Sequence, residues 1–169
     1  MTARMATAGF ALTSADFAEG EPIADTHAFN GFGCAGGNLS PALSWSGAPP
    51  ETKSFALTCY DPDAPPGGFW HWTVFDIPPN VAHLPRGAGD PTSAAAPKGA
   101  VQSRTDYGAI GYGGPCPPKG DKPHRYQFTI FALDVARLGV DERSPAAAVG
   151  ANLKLHALAK ATLTGLYGR

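Results

Sequence analysis

The chain has 169 residues, a length that suits a single domain spanning residues 1–169. Glycine and proline, at 21 and 17 residues, are well above their usual share, and because both interrupt helix interiors this composition excludes a helical bundle or a coiled coil. The net charge of -1 gives no basic excess for binding nucleic acid, and no apolar run approaches the roughly 18 residues that cross a membrane.

The N-terminus and the cysteines predict the cellular compartment of the protein. Met1–Phe10 has one arginine and no continuous apolar stretch, so it does not resemble a secretory signal. Cys34, Cys59 and Cys116 are odd in number and lack CxxC spacing, so we expect no disulfide scaffold and a reducing, cytoplasmic location. Cys116, which lies between prolines, is expected to be a free, unreactive thiol.

Short apolar runs alternate with turn clusters, a pattern typical of a mainly β domain. The strongest run, Arg125–Leu133, has apolar residues at both odd and even positions, which predicts a strand that is partly buried on both faces. The predicted strands are Ser54–Tyr60, His71–Ile77, Arg125–Leu133 and a short final strand, Ala161–Tyr167.

One helix is predicted near the C-terminus. Ser144 can cap it and Pro145 suits its first position. The spacing of apolar residues predicts a face that packs on a sheet and contains Ala151, Leu155, Leu158 and Thr162.

Glycine and proline concentrate in three segments: Asn30–Pro41, Asp61–Gly68 and Gly108–Gly120. The last is too dense in both residues for regular structure, and its prolines stiffen it, so we interpret it as a preformed wall. We assign no role to the alanine-rich loop Gly87–Ala100.

Polar side chains occur where predicted strands end and begin. Asp61 and Asp63 follow the first of these strands, His71 opens the next, and His124 and Tyr126 open the third. If the first two strands form a hairpin, and the third starts at the same sheet end, these side chains line one pocket with the glycine–proline wall as its rim.

Such a pocket suits an anion. Two imidazoles and a tyrosine hydroxyl can donate hydrogen bonds, and loop N–H groups add further donors. An aspartate that accepts one ring N–H of a histidine fixes its tautomer and favours its charged form, so the other ring nitrogen can donate to phosphate or carboxylate.

Four motifs in order resemble the phosphatidylethanolamine-binding protein family, in its bacterial Raf kinase inhibitor-like branch. They are DPDAP (Asp61–Pro65), WHW (Trp70–Trp72), GYGGPCPP (Gly111–Pro118) and HRY (His124–Tyr126). The resemblance implies a mainly β fold of two antiparallel sheets with Greek-key connections and short C-terminal helical structure. It also implies a ligand pocket formed by Asp61, Asp63, His71, Gly114, Pro115, Pro117, Pro118, His124 and Tyr126, to which Trp70 is added as an edge that flanks His71.

The leading hypothesis is a small-anion or phospholipid-head-group binder without a cofactor or metal, acting as a monomer or homodimer, with neither nucleic acid nor a transmembrane segment involved. One alternative is an enzyme in which His71 or His124, supported by Asp61, performs acid/base or cyclisation chemistry on a small carboxylate. Another is an inhibitor-type module that binds a kinase, a protease or another protein partner. A metal site is disfavoured because no HxH or HExxH spacing occurs.

Overall fold

Two antiparallel β-sheets form most of the protein, which a computed structural model describes for residues 9–169. The prediction for Met1–Phe10 therefore lies almost wholly outside the described residues. The elements in chain order are β1 (Ala11–Thr13), a 3₁₀ turn (Asp25–His27), β2 (Leu43–Ser46), β3 (Ser54–Asp61), β4 (Phe69–Ile77), β5 (His83–Leu84), β6 (Val101–Gln102), β7 (His124–Leu133), α1 (Ala146–His156) and β8 (Ala157–Tyr167).

The smaller sheet has the strand order β1-β2-β5, and the larger has the order β6-β4-β3-β7-β8. β3 and β4 form the predicted hairpin, in which Asp61 pairs with Phe69 at the turn. β3 also pairs with β7, although β4, β5 and β6 lie between them in the chain, which is a crossover of the Greek-key kind. The predicted fold class, mainly β with two antiparallel sheets and one helix near the C-terminus, is confirmed.

Among the central strands of the larger sheet, β3 and β4 are largely buried on both faces, whereas β7 is buried on one face and exposed or half-buried on the other from His124 to Ala132. One face packs against the smaller sheet through residues such as Leu57, Phe128 and Ile130. The opposite face packs against α1, where Ala56, Phe75, Leu133, Val149 and Leu153 form a second cluster. Burial of both faces explains why β3 lacks a strict alternation of apolar and polar residues.

The predicted helix is present, but the prediction of its buried face was wrong. Its buried residues are Ala146, Val149, Gly150 and Leu153, whereas Leu155 is 77% exposed. Ser144 does not cap the helix; its hydroxyl accepts the Asp141 N–H at 3.2 Å and closes the preceding turn. In the described part of the chain no helix is long and apolar enough to cross a bilayer.

The helix ends at His156 because the chain after it joins the larger sheet. β8 pairs with β7 from Ala157 to Tyr167 and is longer than the predicted Ala161–Tyr167. Leu158 and Thr162, which were placed on the helix, are strand residues. The full ladder with β7 outweighs the helix preference of this alanine-rich stretch, and the local periodicity of the sequence contains no information about that pairing.

Truncation of Leu153 and of Leu155 is expected to have very different effects. Leu153 is fully buried against the sheet, so Leu153→Ala should lower the free energy of unfolding by about 2–5 kcal/mol. Leu155→Ala, a matched control two residues away, should change it by no more than about 0.5 kcal/mol. Urea unfolding followed by circular dichroism measures both. Equal effects would contradict the observed helix face.

Candidate functional site

A pocket of about 200 Å³ opens where β3 ends and where β4 and β7 begin. The antiparallel ladders bring these three strand ends together, as the hairpin argument predicted. The lining residues are Asp61, Ala64, Pro65, Phe69, His71, Tyr107, Cys116, Pro117, Pro118, His124 and Tyr126.

His124 is held between two carboxylates. Its Nδ1 donates to Asp61 Oδ2 at 2.7 Å, and its Nε2 donates to Asp121 Oδ2 at 3.0 Å. Because a carboxylate oxygen only accepts, both ring nitrogens carry protons in this arrangement. Burial opposes the charge of the ring, but the hydrogen bonds to Asp61 and Asp121 outweigh it and raise the pKa of His124. A ring protonated at both nitrogens has no lone pair for a metal ion.

His71 is oriented by a main-chain carbonyl instead of an aspartate. Its Nδ1 donates to Gly113 O at 2.7 Å, and in return the Gly113 N–H donates to the His71 carbonyl at 2.9 Å. The ring is buried, and this burial lowers the pKa of His71 to about 4 even though the Gly113 carbonyl favours the charged form. His71 is therefore neutral near pH 7, with its second nitrogen, Nε2, unprotonated.

Tyr126 and Tyr107 complete the polar and aromatic lining. The Tyr126 ring meets the edge of His71 at 5.2 Å, and burial raises the pKa of its hydroxyl, which stays protonated. Tyr107 lies at the side of the pocket, with its ring 4.7 Å from that of Phe69 and its hydroxyl donating to Gly114 O at 2.8 Å. Sequence reasoning missed Tyr107 because it lies in a turn that has no strand pattern.

The residues of the glycine–proline wall have two roles: some line the pocket, and others bind the wall to the rest of the fold. Pro117 and Pro118 line the pocket as predicted. Gly114 and Pro115 do not: the Gly114 N–H donates to Asn38 Oδ1 at 2.8 Å, and Pro115 O accepts the Phe29 N–H at 2.9 Å. A side chain at Gly114 would collide with the backbone of the 3₁₀ turn, so glycine is needed for this close approach. The expected loop N–H donors on the glycines are thus used within the fold.

Asp63 and Trp70 do not line the pocket. Asp63 forms an ion pair with Arg125 (Oδ1 to Nη2, 2.8 Å) and accepts its backbone N–H; the Arg125 side-chain hydrogen bond is the main reason why the pKa of Asp63 falls to about 2. Trp70 points to the opposite face of the sheet from its neighbour His71, and its ring lies 4.6 Å from that of Tyr60. Arg125 is next to Tyr126 in β7, and strand alternation turns its side chain away from the pocket towards Asp63.

Cys34 and Cys116 form a disulfide, so the expectation of unpaired cysteines was wrong. Their Cα atoms are 5.9 Å apart although 82 positions separate them in sequence. Cys116 lines the pocket, and the bond attaches the wall to the Asn30–Pro41 loop. Cys59 is the free cysteine of the described residues and is buried. Because disulfides persist in oxidising compartments, the cysteine argument for a cytoplasmic location no longer holds.

Comparison with known proteins identifies the family. A sequence profile described as phosphatidylethanolamine-binding protein matches residues 13–168. The chain belongs to the phosphatidylethanolamine-binding protein family, as the four motifs predicted.

Two Escherichia coli proteins and one crystal structure illustrate the similarity. The UPF0098 protein YbcL of Escherichia coli is 52% identical over 161 residues, covering 95% of this chain and 88% of that protein. The UPF0098 protein YbhB of the same organism is 48% identical over 157 residues, covering 92% and 98%. The crystal structure of E. coli YbcL, described as a new member of the mammalian PEBP family, gives a TM-score of 0.93 at 51% identity over 95% of this chain and 99% of that one.

Loss of the disulfide should destabilise the protein. The Cys34→Ser, Cys116→Ser double variant, which keeps Cys59, should lose about 2–5 kcal/mol of unfolding free energy in urea, since the bond closes a long loop. The native chain, unfolded without reductant, should expose one thiol to a thiol reagent, that of Cys59. Detection of all three thiols without reductant would contradict the pairing.

Burial of neutral His71 should make stability depend on acid pH. The pKa of His71 is depressed from 6.5 to about 4, so the unfolded chain binds a proton between these values that the folded chain does not. Stability from this group is present above pH 6.5 and is lost as the pH falls towards 4. Between pH 7 and 4.5 the wild type should lose about 2–3 kcal/mol more than His71→Asn, whose amide can still donate to Gly113 O. His83→Asn, at an exposed histidine, should behave as wild type.

Proposed function

We propose that the chain binds a small oxyanion in this pocket: a phosphate, a phosphate-bearing head group or a carboxylate. The observation that carries the proposal is the convergence of His71, His124 and the Tyr126 hydroxyl in a cavity of about 200 Å³. This volume is below the roughly 300–1,000 Å³ of pockets for drug-sized ligands. It suits a head group or a free anion and is too small for a whole lipid.

Three groups are suited to hold the oxygens of such a ligand. Tyr126 keeps its O–H proton, since burial raises the pKa of its hydroxyl. Cys116 supplies the only backbone N–H in the Pro115–Pro118 segment, and this N–H has no hydrogen-bond partner within residues 9–169. The third group is the Nε2–H of His124, which donates to the partly exposed Asp121.

The position of Asp121 supports the proposal from another direction. Its carboxylate, whose side chain is 44% exposed, already accepts a hydrogen bond from Nε2 of His124. A carboxylate of the protein thus occupies a donor that a ligand oxyanion can also use. The name of the family, phosphatidylethanolamine-binding protein, points to the same chemistry, since that lipid carries a phosphate in its head group.

We further propose that the chain works in an oxidising compartment. The Cys34–Cys116 bond attaches a pocket wall to a neighbouring loop, and reducing conditions would open it.

Titration with inorganic phosphate, followed by imidazole NMR resonances, tests the binding proposal. The His71 and His124 resonances should shift, whereas that of exposed His83 should not and so provides an internal control. Tyr126→Phe should weaken phosphate binding roughly ten- to a hundredfold, because it removes one hydrogen bond to a charged group.

Acetate and phosphoethanolamine extend the titration to a carboxylate and to a head group. The proposal would be rejected if the resonances of His71 and His124 shifted with none of the three ligands. An unchanged phosphate affinity in a folded Tyr126→Phe variant would also reject it.

A further inference from the structure

The hydrogen bond of His71 determines which group this ring offers to a ligand. The carbonyl of Gly113 can only accept, so the bond of 2.7 Å to Nδ1 requires a proton on Nδ1. A neutral ring with that proton presents a lone pair at Nε2. Nε2 has no hydrogen-bond partner in the described part of the chain, and the ring lines the pocket. His71 therefore offers the pocket an acceptor, whereas the sequence predicted a donor.

The surroundings keep the ring neutral. His71 is only 3% exposed, and burial holds its pKa at about 4. Around it lie Asp61 on β3, His124 and Tyr126 on β7, and Asp106 and Tyr107 in the loop after β6. The two aspartates favour a charged ring, and their effect is smaller than that of burial.

The rest of the polar cluster does not supply a net positive charge. His124 carries one positive charge, but the carboxylates of Asp61 and Asp121 accept both of its N–H groups. Together the three side chains carry one negative charge. An oxyanion without a proton would meet this charge and, at His71, a lone pair; both repel it.

We propose that the pocket takes up its oxyanion together with one proton, which is shared between a ligand oxygen and Nε2 of His71. The inference rests on the proposed function, and it narrows the ligand class to oxyacids that bind in a protonated form. A phosphate monoester can bring the proton on its own oxygen. A fully deprotonated oxyanion such as sulfate requires that the proton enter on His71.

Isothermal titration calorimetry counts the protons directly. The full chain is titrated with phosphoethanolamine at pH 8, and separately with sulfate at pH 8 and pH 5.5, each in two buffers that differ in ionisation enthalpy. The difference in heat between the buffers gives the number of protons bound. We expect about one proton per phosphoethanolamine at pH 8, where its phosphate is a dianion without a proton, and about one per sulfate at both pH values. The affinity for sulfate should fall about tenfold for each added pH unit.

Two variants test whether the proton is bound at His71. In His71→Gln the amide puts a permanent N–H near the position of Nε2, so sulfate binding should continue without proton uptake and with little pH dependence. In His71→Asn the amide replaces only the Nδ1 donor, so the affinity should drop at least tenfold. His83→Gln is the control and should keep the wild-type proton count.

The outcomes separate this inference from the function on which it rests. Binding of phosphoethanolamine or sulfate without proton uptake at pH 8 overturns the inference and leaves the proposed function intact. Proton uptake that persists in a folded His71→Gln variant assigns the proton elsewhere and also overturns it. If neither anion nor acetate binds at any pH between 5.5 and 8, the proposed function fails and the inference fails with it.

Discussion

The hydrogen bond from His124 to Asp61 joins the start of β7 to the end of β3, and the pocket depends on it. Both side chains are almost fully buried. The second carboxylate oxygen of Asp61 accepts the Asp63 N–H, which closes the turn after β3. One carboxylate therefore sets both the turn and the orientation of the imidazole. Without its partner, Asp61 would be a buried charge supported by one backbone N–H, an arrangement that costs far more than an exposed ion pair contributes.

The two pocket histidines have the same side chain but hold different numbers of protons, and their acceptors explain this. The partners of His124 are carboxylates, whose charge stabilises the imidazolium against burial. The partner of His71 is a neutral carbonyl, which fixes the tautomer but does not compensate the burial of a charge. The site therefore contains one imidazolium, whose N–H groups are both bound by carboxylates, and one neutral imidazole that presents an acceptor at Nε2.

Features set by local pattern could be predicted from the sequence, and features set by distant contacts could not. The strands β3 and β7 and the convergence of Asp61, His71 and His124 follow from runs of β-forming residues and from short connections. The end of α1 depends on pairing between β8 and β7. The Cys34–Cys116 bond and the acceptor at Gly113 depend on how two loops, far apart in sequence, pack together. A count of cysteines or a histidine at the start of a strand contains no information about these contacts.

The surplus of glycine and proline has a chemical consequence for the pocket. Three of the four residues in Pro115–Pro118 have no N–H, and the glycine N–H groups before them are bound to His71 and Asn38. The wall therefore presents apolar surface and little hydrogen-bonding capacity. Apolar surface that excludes water strengthens every polar interaction inside the cavity and raises the cost of an unmatched charge. The proposed uptake of a protonated oxyanion agrees with such a wall, because the few polar groups that remain must match the charge and the protons of the ligand.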